Sequence, residues 1–185
     1  MLNFAHGDII MVGSYVVYIA VSSLGLNPIL SVVISAVVCL VLGVVIEKVA
    51  YKPLRHASKL AVLITAIGVS YFLQNMALLI FGANTKSFTS VVPAVSVKLG
   101  GITITAETIV TIVACIVIMI CLTLFINKTK AGHAMQAVSE DQDAAQLMGI
   151  NVNATISLTF AIGSALAAVA GVLLCSAYPS LTPYT

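Results

Sequence analysis

The sequence predicts an all-α membrane protein, a polytopic transmembrane helix bundle with about five spans, and three observations predict it. Hydrophobic residues make up 61% of the 185 residues and charged residues 8%, where soluble domains carry roughly a quarter charged. The mean hydropathy is +1.15, more apolar surface than a soluble fold of this size could hide. The few charges also cluster: no Asp, Glu, Lys or Arg occurs at residues 9–46, 60–85, 108–127 or 144–185. A helix needs about 20 apolar residues to cross the hydrocarbon. Only helices and closed barrels satisfy their backbone there, and apolar runs without strict alternation favour helices.

The elements follow in order. Residues 9–46 exceed one span, and Gly25, Leu26, Asn27 and Pro28 supply the turn chemistry that divides them into helices at about 9–24 and 29–46. Residues 60–81, 108–126 and 152–175 form the third, fourth and fifth helices. The loop at 47–59 holds Lys48, Lys52, Arg55 and Lys59, and the loop after residue 126 holds Lys128 and Lys130. Basic residues concentrate in cytoplasmic loops, and two helices separate these loops, as a shared cytoplasmic side requires. The Gly25 turn and residues 82–107 then face the other side, with Lys86 and Lys98 running against the charge rule. Pro93, Gly100 and Gly101 predict a short external strand pair or a re-entrant piece there. Ser35, Cys39 and Gly43 in the second helix, and Gly163, Ala167 and Gly171 in the fifth, recur at four-residue spacing. Small residues so spaced let helix backbones approach closely in lipid.

Several functions are excluded. A net charge of +2 without a basic, aromatic-interleaved run does not fit nucleic-acid binding. Cys39, Cys115, Cys121 and Cys175 lie in apolar runs without CxxC spacing and read as packing residues. The first eight residues lack the basic region of a signal peptide. His6, His56 and His133 fall on separate loops or ends, with no HExxH pair, so no metal, cofactor or catalytic group is expected.

Two groups of residues are candidate sites. In the loop at 128–151, Ser139 can cap a helix whose first turn carries Glu140, Asp141 and Asp143, with Gln142 closing a capping box. Ala144 to Met148 continue that helix, and Gly149 followed by Ile150 reads as its stop. A solvated connector is the plain reading of such a helix. The second group is Asn3, His6 and Asp8 at the head of the first helix, where Asp8 either caps the helix or marks a path. Gln74 and Asn75 of the third helix are either interhelical glue or path ligands.

Asp143, Ala144 and Ala145, with Gly149 after three more residues, resemble the E-A-A-x-x-x-G signature of ABC importer permeases, Asp replacing Glu. Asn3 to Gly7, reading N-F-A-H-G, resemble branched-chain amino acid permeases of the LivH type. So do E-K-V-A-Y-K-P-L-R from Glu47, L-I-T-A-I-G-V-S-Y-F-L-Q-N from Leu63 and T-F-A-I-G-S-A-L-A-A-V-A-G-V-L-L from Thr159. The blocks occur in family order along nearly the whole chain. The resemblance implies a permease subunit of the bacterial cytoplasmic membrane, not an enzyme, that forms a path for leucine, isoleucine and valine. Related permeases carry urea or short amides. The implied partners are two ATP-binding subunits, a second permease subunit and an extracytoplasmic solute-binding protein. No G-x-x-x-x-G-K-[ST] phosphate loop is present, so ATP would be bound by a separate protein.

On this resemblance the loop at 128–151 is the ATPase-coupling loop, with Glu140, Asp143, Ala144, Ala145 and Gly149 as its residues. Asn3, His6, Gln74 and Asn75 belong to the translocation path. The family's G-R-A-x-R-A segment reads Gly132, His133, Ala134, Met135, Gln136 and Ala137 here, so docking by those arginines does not carry over, and no I-x-L-P follows Gly149 at the usual distance. The family also has helices before N-F-A-H-G and after Tyr184, so the chain is expected to be a fragment in which residues 3–8 lie inside the membrane. The competing class is an ion-coupled secondary transporter. Its members place ionisable residues within spans, and all five predicted helix interiors lack them.

Overall fold

The structure, a computed structural model, describes residues 5–55, 57–87, 96–99, 102–178 and 180–182. The chain divides into two units, Met1–Val91 with Phe160–Thr185, and Val92–Thr159.

The first unit is built on α1 (His6–Ser22), α2 (Pro28–Ile46), α3 (Lys59–Phe81) and the part of α7 (Val152–Ala177) from Phe160 onward. Local chemistry sets the helix ends. The Asn27 side chain accepts a hydrogen bond from the Ile29 amide at 3.0 Å, and Pro28, whose missing N–H costs nothing at a helix start, opens α2. Ser58 Oγ accepts from the Ala61 amide at 3.3 Å and caps α3. Two short strands, β1 (Lys86–Ser87) and β4 (Ser180–Leu181), pair antiparallel.

Small residues bring three helices together, as their spacing predicts. On α2, the Ser35 hydroxyl donates to the Gly13 carbonyl of α1 at 2.7 Å, and the Cys39 thiol points at the Ile9 carbonyl at 3.7 Å. A Cβ at Gly13 would lie 2.7 Å from Ala168 Cα, and one at Gly171 would lie 2.5 Å from the Ile10 carbonyl oxygen. A Cβ at Gly43 would overlap the Ser164 side chain. Gly163 is the exception, with nothing within 4 Å. Ser164, one residue on, faces α2 in its place.

Side-chain pairs give the helix directions. Gln74 of α3 reaches Asp8 of α1, 66 residues away, and Phe81 stacks on Tyr15 at the same offset, 4.2 Å between centroids. A constant offset means that α1 and α3 run parallel. Tyr51, just past α2, meets Phe160 of α7 at 5.3 Å. The end of α2 carrying Lys48, Lys52 and Arg55 therefore lies beside the Phe160 end of α7.

Two expectations for this unit are corrected. Residues 47–59 are not a plain loop: α2 continues as a π-helical turn, Glu47–Tyr51, and a 3-10 turn, Lys52–Leu54. Glu47 is buried there because Arg55, two turns on, pairs with its carboxylate. The first helix begins at His6 rather than residue 9, so His6 and Asp8 belong to it, and a helix interior does hold an ionisable group.

The second unit contains the hairpin of β2 (Ser96–Leu99) and β3 (Ile102–Thr105), the strand pair among the external-loop alternatives. It continues with α4 (Ala106–Lys128), α5 (Lys130–Glu140) and α6 (Gln142–Leu147). No residue of α4 is buried. The expectation that Ser139 caps one helix is also corrected, because two helices form. Thr129 Oγ1 caps α5 by accepting from the Gly132 amide at 3.0 Å, and the Ser139 hydroxyl donates back to the Gln136 carbonyl at 2.7 Å. Asp141 caps α6 instead, Oδ1 accepting from the amides of Asp143 at 2.9 Å and Ala144 at 3.1 Å. A carboxylate serves two amides at a helix start better than a neutral hydroxyl does.

Among the described residues, four helical stretches are long and apolar enough to cross a membrane, namely Pro28–Leu54, Leu60–Phe81, Ala106–Lys128 and Val152–Ala177. The fifth expected span, α1, is apolar but 17 residues long. The fold is thus the predicted polytopic helical one, with Leu, Ile and Val side chains broadly exposed along α2, α3 and α4 for lipid or further helices.

Candidate functional site

Three constellations of chemistry-bearing side chains emerge. The first is the end of α6. Gly149 has φ +84°, the left-handed region where a side chain is strained. The Ile150 amide donates to the Ala145 carbonyl at 3.0 Å and the Gly149 amide to the Gln146 carbonyl at 3.0 Å. These are the two bonds of a Schellman stop. The stop leaves Leu147 and Met148 88% and 84% exposed at the helix end. Glu140, Asp143 and Ala144 are exposed as well, whereas Ala145 is buried. The face open to a partner is therefore Asp143, Ala144, Leu147 and Met148.

Leu147 and Met148 were missed in the sequence. Their signal was an apolar pair immediately before a helix-stopping glycine in a loop whose neighbours are polar. In a water-facing segment such a pair is worth noting; beside membrane spans it reads as unremarkable.

The second constellation is mid-depth in the first unit. Asp8 is 6% exposed, and its Oδ1 accepts a hydrogen bond from Gln74 Nε2 at 2.9 Å. Gln74 Nε2 also lies 3.4 Å from Ser70 Oγ. Asp8 makes no capping bond at the start of α1, so the cap alternative falls. Its neighbour Ile9 is level with Cys39, which sits about 16 Å along α2 from Pro28 and about 18 Å from Tyr51 at 1.5 Å per residue. Both distances place Asp8 well inside a hydrocarbon layer about 30 Å thick.

Of the other path candidates, His6 is exposed on the first turn of α1. The Asn75 amide donates to the Tyr71 carbonyl of its own helix at 2.7 Å, on an exposed face. The structure thus joins Gln74 to Asp8, but not to Asn75 or His6. Asn3 lies outside the described residues, as does His56.

The third constellation is the ion pair of Glu47 and Arg55, with side chains 0% and 8% exposed. Opposite charges eight residues apart in the E-K-V-A-Y-K-P-L-R block were its signal, masked by reading the block as a loop. Among the described residues no group of three or more His, Cys, Asp or Glu could hold a metal ion. All four cysteines are free.

With this geometry in view, the relatives are informative. A family model described as "Branched-chain amino acid transport system / permease component" matches residues 1–184. The high-affinity branched-chain amino acid transport system permease protein BraD of Pseudomonas aeruginosa is 40% identical over 195 residues, covering 99% of this chain and 64% of the relative. The permease protein LivH of Escherichia coli is 38% identical over 197 residues, covering 100% and 64%. A probable branched-chain amino acid transport permease of Methanocaldococcus jannaschii is 32% identical over 186 residues, covering 93% and 56%. The chain therefore spans just under two thirds of the length of the curated relatives it matches. No solved structure matches it. Its apolar spans and its relatives agree on a multi-pass protein of the cytoplasmic membrane. The chain belongs to the family of permease components of branched-chain amino acid transport systems.

Proposed function

We propose that this chain is part of the membrane-spanning permease of an ABC importer for branched-chain amino acids. A separate ATPase powers it through the loop at 128–151. The observation that carries this reading is the D-A-A-x-x-x-G pattern on a capped, Schellman-stopped helix whose end offers Leu147 and Met148. In the complete importer one of the two ATP-binding subunits engages this loop from the cytoplasm. A second permease subunit completes the path, and an extracytoplasmic solute-binding protein delivers leucine, isoleucine or valine. Gly149 shapes the docking end, Glu140 and Asp143 give it negative charge, and Ala144 allows close approach. Ala145 packs inward and holds the helix to its own loop.

The test is uptake by the full-length permease reconstituted with these partners. Leucine, isoleucine and valine enter only with ATP and the binding protein, and urea and acetamide do not compete. Uptake driven by an ion gradient without the ATPase overturns the reading. The Leu147→Ser, Met148→Ser double variant inserts normally but retains about tenfold less ATPase on purification, as expected when exposed apolar anchors are lost from an interface. Full retention would make α6 a connector.

A further inference from the structure

Asp8 and Glu47 are both buried carboxylates of the first unit. Glu47 is matched by a guanidinium. Asp8 meets only a neutral amide, Gln74, and no cation lies within ion-pair distance of it among the described residues. At this depth a carboxylate is expensive, and ionisable groups inside spans mark ion or substrate pathways by default. One neutral hydrogen bond orients the group without balancing its charge. His6, two residues away on α1, points to a different side of the helix, because residues two apart do not share a face.

The Asp8 face of α1 carries a second buried polar group. Two turns further along the same face of α1, Tyr15 is 1% exposed, yet its hydroxyl has no hydrogen-bond partner among the described residues. The interface of α1 with α3 thus keeps two polar groups whose needs it does not meet itself.

We propose that the Asp8 carboxylate, oriented by Gln74, receives the cationic nitrogen of the transported solute as it crosses the membrane. This rests on the permease reading above, on which that nitrogen is the α-ammonium of an amino acid. Asp8 is then a specificity-determining group. It recognises the α-ammonium that leucine, isoleucine and valine share, and leaves their differing side chains to apolar surroundings.

The experiment uses the full-length permease with its ATPase, second permease and binding protein in proteoliposomes. Asp8→Asn keeps the shape and an acceptor for Gln74 but removes the charge. Leucine uptake per transporter falls about tenfold or more, the scale of losing one partner from a buried charge pair. ATP hydrolysis stimulated by the binding protein stays within about twofold of wild type, so transport and hydrolysis uncouple. Asp8→Glu restores part of the uptake. Unchanged uptake in Asp8→Asn overturns the proposal, and so does parallel loss of uptake, hydrolysis and assembly, which would mark a purely structural role.

A second measurement does not depend on transport. The purified full-length protein should be thermally stabilised by isopentylammonium and not by 4-methylpentanoate, and Asp8→Asn should lose that difference. If wild type takes up no branched-chain amino acid yet shows this Asp8-dependent stabilisation, the importer reading fails while the ammonium site stands. Equal shifts in wild type and Asp8→Asn overturn the site.

Discussion

Two buried carboxylates stand about 12 Å apart in depth, estimated from the helix rise, and the first unit treats them in opposite ways. Glu47 and Arg55 are eight residues apart on one continuous stretch, where the π-helical turn gives way to the 3-10 turn, and they cancel each other's charge. Asp8 and Gln74 are 66 residues apart on different helices, and the amide leaves the charge of Asp8 in place. The inner pair is a local clasp that shapes the exit of α2. The deeper pair exists only when α1 and α3 are docked, and it holds a charge ready for something else. A buried acid is thus not informative by itself; what meets it decides whether it serves the fold or the solute.

The strongest way to break this comparison is to unpair the clasp. Arg55→Met leaves Glu47 buried without its guanidinium and is expected to cost about 3–5 kcal/mol. Thermal melting of the full-length protein in detergent would register this as a large drop. Adding Glu47→Leu to the same chain should recover most of the loss, since an apolar pair of similar volume is tolerated where half an ion pair is not. If Arg55→Met melts like wild type, the clasp is ornamental.

A smaller effect separates the pairs by their supports. Gly13→Ala pushes a methyl group towards Ala168 Cα, which is backbone and cannot swing aside. The wedge is expected to cost about 1–3 kcal/mol and to shift α1, lowering leucine uptake through Asp8. Arg55 and Glu47, held by one stretch of chain, should stay paired. Gly163→Ala is the control: with nothing within 4 Å, it should change the melting temperature little or raise it by the helix preference for alanine, about 1 kcal/mol at most. Equal destabilisation by both variants would contradict the assignment of Gly13 to the seam.

Gly149→Ala should cost about 1 kcal/mol through its left-handed backbone, confined to the α6 end. Hydrogen exchange there should quicken while protection in α1 and α2 is unchanged. Asp8→Asn is the one change expected to keep or raise the melting temperature, because the acceptor for Gln74 survives and an unbalanced buried charge is removed. A melting temperature well below wild type would move Asp8 to the side of the structural acids and dissolve the contrast with Glu47.

Much of this protein was legible one stretch at a time. The apolar runs, the Asn27 and Pro28 start of α2 and the Gly149 stop depend on residues within a few positions of each other, so backbone sterics and capping decide them locally. Even the misread parts of the loop at 128–151 were local, a competition between Ser139 and Asp141 that the better acceptor won. The sequence by itself determined that the chain is a helical membrane protein, where its helices break, and which family it resembles. Only the tertiary structure decided that Gln74 meets Asp8, that Ser164 rather than Gly163 faces α2, and that Ala145 turns inward while Leu147 and Met148 turn out. The reason is physical: in spans that are apolar all round, lipid is as good a neighbour as protein for most side chains. Hydrophobic contrast therefore marks no inner face, and helices choose one by close fit and by the few polar groups that must find each other.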